Sequence, residues 1–140
     1  MPLEFEERCN AIEECYEFLL AYAAQGLPSD AGSPTGGQVR TFLEGAAKSL
    51  TGLAESCTAA LARHGHEPAG PYQAFVAVLD RDARDSLAAV DLVLAQPAIS
   101  SQLIDNLNAS IHLRALLTDL FLVGEILTSA RAPAKSAATG

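Results

Sequence analysis

Apolar residues recur every three to four positions through four long segments of the chain, and each segment is closed off by glycine, proline or a polar cluster. An α-helix advances about 100° per residue, so this spacing gathers the apolar side chains on one helical face. It predicts helices over residues 3–25, 35–64, 71–96 and 100–128. Gly26, Leu27 and Pro28 stop the first, and a linker rich in Ser, Gly and Pro, 29–37, leads to the second. Thr35 with Gln38 makes a capping-box start for that second helix. A turn around Gly65, Pro68 and Gly70 follows it, Pro71 sits where a first-turn proline is tolerated, and Pro97 closes the third helix. No alternating run of β-branched residues is long enough for a strand. Connections this short relative to the helices favour antiparallel neighbours. The predicted fold is all-α: an antiparallel up-down-up-down four-helix bundle over 1–128, then a small polar tail, 129–140, expected to be disordered.

The faces are unequal. The first helix carries one apolar stripe of Phe5, Cys9, Ile12, Tyr16, Leu19 and Ala23, and a second of Ala11, Cys15, Phe18 and Tyr22. A helix packed on a single core needs a stripe of about 100°, so this one is expected to have two packing partners. Its remaining arc, with Glu6, Glu7, Glu13, Glu14 and Glu17, is a solvated acidic face. The second helix has a ridge of small residues, Gly45, Ser49, Gly52, Ser56 and Ala59, which offers close approach to a neighbouring helix. The fourth is apolar nearly all round from Leu113 to Leu127. Contiguous apolar patches beyond a few hundred Å² are uncommon on soluble monomers. The surplus therefore predicts a homodimer, or a different protein partner, seated on Ala11, Cys15, Phe18 and Tyr22 together with Leu116, Leu120, Val123 and Leu127.

Two charges fall on apolar faces. Arg114 shares a face with Leu117 and Phe121, and Asp82 lies between Leu79 and Val93, so a buried Asp82–Arg114 ion pair would satisfy both. His112 stands on a narrow polar stripe with Asp105, Asn108 and Asp119. The run His112, Leu113, Arg114, Ala115, Leu116 is loosely similar to the pattern of His phosphotransfer modules: His, any residue, Leu, Lys, Gly. Here the basic residue stands one position early and the glycine is missing.

Composition changes the picture mainly by exclusion. Seventeen acidic against nine basic residues give a net charge of −8, which repels nucleic-acid backbones and anionic membranes. Residues 1–7 carry no basic and apolar leader, and the three cysteines, Cys9, Cys15 and Cys57, have no CxxC spacing, so reduced thiols in a cytoplasmic protein are expected. None of the histidines has a glutamate three residues before it, as a di-iron bundle requires, and Cys57 lies too far along its helix from His64 to share a zinc site with it. Neither a metal nor a cofactor is expected. The leading expectation is a non-catalytic helical interaction protein, such as an accessory subunit, adaptor or chaperone-like factor, acting through apolar helix faces. The alternative is a module that holds an apolar ligand or cofactor between helices, anchored by Tyr16, Tyr22, Arg114 and Asp82. A third is phosphotransfer through His112.

Overall fold

The computed structural model of the chain describes residues 4–67 and 69–139, with side chains as far as 129. Among the described residues the chain is all-helical: α1 (Phe5–Ala24), α2 (Pro34–Leu50), α3 (Leu53–Arg63), α4 (Gly70–Leu94), α5 (Ser101–Ala109) and α6 (Ile111–Thr139). Helix α6 runs past residue 128, and most of the tail predicted to be disordered, 130–140, has side chains outside the described residues.

Six helices stand where four are predicted, because two of the four are broken. The second breaks at Thr51 and Gly52: Thr51 is extended and Gly52 turns left-handed at φ 80°, a conformation that costs a residue with a Cβ. Gly52 is thus a corner rather than part of a contact ridge, and a Cβ placed on Gly45 would meet nothing within 4 Å. The fourth breaks at Ser110, which is extended at ψ 141°. Asn106, Asn108 and Ser110 precede or form this break, and such side chains compete with helical hydrogen bonds for the backbone.

The first break is sealed from the opposite side of the core. A helix end leaves carbonyl groups without intrahelical partners. Arg8, on α1 and only 9% exposed, donates through Nη1 to the carbonyls of Lys48, Ser49 and Thr51 at 3.3, 3.0 and 2.6 Å. A buried charge is tolerated here because these carbonyls surround it.

Helix α1 lies centrally and packs against both α2 and α5. Its buried row is Phe5, Arg8, Ile12, Cys15, Leu19 and Tyr22, which runs between the two predicted stripes. Phe18 stacks on Phe42 of α2 with ring centroids 4.3 Å apart. On the other flank the Tyr22 hydroxyl donates to the Ile99 carbonyl at 2.7 Å, and Ser101 Oγ donates to the Tyr22 carbonyl at 2.6 Å. The two partners that the first helix needs are therefore both within the same chain.

The 25–33 linker is tied down by charge. Asp30 accepts from the Ile99 N–H at 2.8 Å and from Arg40 Nε at 2.8 Å, while Arg40 also donates to the carbonyls of Leu94 and Gln96 beyond the end of α4. Those bonds, led by the Ile99 N–H and followed by Arg40, hold the Asp30 carboxyl below its ordinary range. The N-cap of α2 is Ser33, whose Oγ accepts from the Gly36 N–H at 2.9 Å, so the cap stands two residues before the predicted Thr35. Gly36 is required here for space, since a Cβ would overlap the Asp30 carbonyl.

Candidate interaction surface

Helix α6 divides into two faces. Leu113, Leu116, Leu117, Leu120 and Val123 fall at intervals of three and four and enter the core. The opposite side exposes Ile111 at 74%, Phe121 at 61%, Leu122 at 50% and Ile126 at 41%. Burying a side chain of this kind is worth about 1.5–3 kcal/mol relative to leaving it in water, so leaving four uncovered on one helix is costly.

Beside this row, α1 and α6 flank a groove of about 360 Å³ lined by Glu13, Tyr16, Glu17, Arg114, Leu117 and Phe121, among others. Leu117 is buried there, and Glu17, Arg114 and Phe121 are exposed. Acidic groups from α1 therefore line the same groove as a basic group from α6.

The interface predicted from sequence is corrected. Cys15, Tyr22, Leu116, Leu120 and Val123 are all buried in the monomer core, with Tyr22 and Leu116 at 0% exposure. Ala11, Phe18 and Leu127 are half-buried, and Phe18 is occupied by its ring stack on Phe42. The apolar surplus of the predicted first helix is absorbed by α5, and that of the fourth helix emerges on Phe121, Leu122 and Ile126, residues outside the predicted set.

The Asp82–Arg114 ion pair does not form among the described residues, because Arg114 points to solvent. Asp82 on α4 is instead partnered with Asp119 on α6, carboxyl to carboxyl. Asp119 is 6% exposed, and its Oδ2 has no hydrogen-bond partner. Burial raises the Asp119 carboxyl to about 7, and the hydrogen bond and charge of Asp82 add to the shift. A protonated Asp119 can donate to Asp82, whereas an ionised Asp119 is repelled by it. Sequence reading placed Asp119 on a wet stripe. The missed signal is its setting between Leu116, Leu120 and Val123 on a helix whose inward face is otherwise aliphatic.

The remaining candidates separate. Tyr16 and Arg114, two of the four anchors proposed for an apolar ligand, line the same groove, whereas Tyr22 is engaged by Ile99 and Asp82 by Asp119. The void lined by Ile12, Cys15, Leu19, Leu50, Val90 and Leu113 holds only about 10 Å³, room for no more than about one water molecule and far too little for an apolar ligand. His112 is exposed in the first turn of α6 just after the Ser110 break, and its carbonyl accepts from Ser86 Oγ at 3.0 Å. Burial pushes the thiols of Cys9 and Cys15 up to about 12 and that of Cys57 up to about 11.

No group of three or more His, Cys, Asp and Glu among the described residues could hold a metal ion, and no helix among them is long and apolar enough to cross a membrane. Comparison with protein-family models, curated proteins and solved structures finds no match. The functional reading therefore rests on the chemistry of the surface.

Proposed function

We propose that this chain is a non-catalytic interaction protein that pairs with a second copy of itself through the outer face of α6. The row of exposed Ile111, Phe121, Leu122 and Ile126 carries this reading. Charge complementarity supports a second copy as the occupant. Arg114 and Glu125 are both exposed on α6 and lie on opposite sides of Phe121 along the helix. Two α6 helices crossing in opposite directions about a two-fold axis set Arg114 of each copy against Glu125 of the other, with the phenyl rings between them. Partner exchange of this kind suits an accessory subunit or adaptor, whose work is done by a surface.

The same reading takes the six helices as four rods of an antiparallel bundle, with α2 and α3 forming one rod and α5 and α6 another. Two pairings support it: Arg8 meets residues 48–51 while Phe18 meets Phe42, and Ser86 meets His112 while Asp82 meets Asp119. In each case one helix advances as the other recedes.

Sedimentation velocity across micromolar concentrations tests the dimer. Wild type is expected to dimerise, Phe121→Glu to stay monomeric with unchanged helicity, and Arg114→Glu to weaken the dimer until Glu125→Arg is added to it. A monomeric wild type overturns the pairing. A dimer indifferent to all of these substitutions moves the interface elsewhere.

A further inference from the structure

A second cleft lies between α3, the turn residues His66 and Glu67, and α4. It encloses about 400 Å³, within the range of small-molecule sites, and so differs in scale from the closed core void. Ala54, Leu61, Val76 and Ala77 give it an apolar lining. His66 and Tyr72 stand in its wall as a stacked pair with ring centroids 4.5 Å apart. The turn that presents His66 is fixed, because the His66 N–H donates to the Leu61 carbonyl at 2.9 Å. Its ring is not satisfied: Nε2 is buried and has no hydrogen-bond partner. Leaving a buried polar atom unpaired costs about 1–3 kcal/mol, so a polar group that enters the cleft and reaches Nε2 is favoured.

The charged residues of the lining are all acidic: Glu55 from α3, Glu67 from the turn and Asp80 from α4. Asp80 is engaged by Arg84 at 2.9 Å, which leaves Glu55 and Glu67 as the carboxylates available to a ligand. An apolar floor, an aromatic wall, an imidazole nitrogen able to accept and two carboxylates define a ligand that is flat, cationic and rich in N–H groups. A guanidinium or amidinium group has that form: it binds carboxylates through parallel N–H bonds and stacks on aromatic faces. An ammonium ion lacks the plane for stacking, and an anion is repelled by the carboxylates of the lining. We infer that the cleft between α3 and α4 is a binding site for a guanidinium or amidinium group on a short apolar stem, with His66 Nε2 accepting one N–H, Glu55 and Glu67 the others, and Tyr72 providing the stacking wall. The site is separate from the proposed α6 interface and stands whether or not the chain dimerises.

Benzamidine is the probe, with benzoate and benzyl alcohol as matched controls of opposite and zero charge. The ring resonances of His66 and Tyr72 are followed by NMR on the full chain. Benzamidine is expected to shift both in a saturable manner at millimolar or lower concentration, with no saturable change for either control. Glu55→Gln with Glu67→Gln, both at exposed positions, is expected to weaken binding about tenfold, or about 1.4 kcal/mol, at unchanged thermal stability. A blocked arginine peptide run beside benzamidine distinguishes a partner's side chain from a free small molecule by which binds more tightly. Absence of a saturable shift with benzamidine and with the peptide overturns the site, and so does equal binding of benzoate or of the double variant.

Discussion

The Arg8 guanidinium on α1 donates to the Thr51 carbonyl at 2.6 Å, across a sequence separation of 43 residues. It thereby caps a helix to which it does not belong. Replacing Arg8 with alanine strips the carbonyls of Lys48, Ser49 and Thr51 of a buried donor, and a loss of about 2–4 kcal/mol is expected in urea unfolding. Arg8→Lys should fall between the two, because an ammonium on a single stem does not reproduce the guanidinium fork. A loss under about 0.5 kcal/mol for Arg8→Ala, the range of surface substitutions, would show that the break is capped by something else.

Asp119 makes stability depend on pH in an unusual direction. Its carboxyl rises from 3.8 in the unfolded chain to about 7 in the folded one. Between those values the folded chain holds a proton that the unfolded chain has released, so this group's contribution is complete at low pH and is lost as pH rises through that window. Asp119→Asn removes the titration and supplies an amide N–H for Asp82. The variant is expected to gain about 1–3 kcal/mol at about pH 8 and to show a flatter profile between about pH 5 and 7. An unchanged profile in chemical denaturation would count against a raised Asp119 carboxyl.

Asp30 acts with the opposite sign. The Ile99 N–H and Arg40 depress its carboxyl, so its contribution is present above the ordinary carboxyl range and is lost as pH falls through the lowered value. Asp30→Asn is expected to cost about 1–3 kcal/mol at neutral pH, and the gap from wild type should close in acid. A gap that persists at about pH 2, where both chains are neutral at this position, would mean that the effect is steric.

The thiols should be inert. Cys15 and Cys57 are buried, and burial holds all three thiols well above the usual cysteine value. Since the thiolate is the reactive species, native protein at about pH 8 is expected to react with a disulfide reagent only as fast as it unfolds. Labelling as fast as that of the denatured chain would contradict the packing of α1.

Helical class was legible because the 3.6-residue period depends on neighbours in sequence. The predicted starts and stops at Gly26, Thr35, Pro71 and Pro97 lie within a few residues of the ends of α1, α2 and α4 for the same reason. The two breaks were harder to see. Gly52 inside a periodic stretch reads equally as a small contact residue or as a corner, and only Arg8, far away in sequence, decides between them by capping the carbonyls. Burial of Tyr22 and Leu116 was foreseen as burial, but pattern alone does not say whether the covering helix comes from the same chain. The pairing of Asp82 was foreseen with the wrong partner: Arg114 and Asp119 sit on the two edges of one helical face, and a rotation of α6 exchanges them.

The position of α1 also bears on how the chain is made. It leaves the ribosome before α2 to α6, yet the carbonyl that receives the Tyr22 hydroxyl belongs to Ile99, 77 positions later. At about 5–20 residues per second, the Tyr22 end of the helix waits about 4–15 seconds for its cover. During that interval α2 shields one flank and nothing from the chain shields the other. Yield in a cell then depends on translation speed and on what attends the nascent chain, and a finished molecule of ample stability can still be lost before its fifth helix emerges.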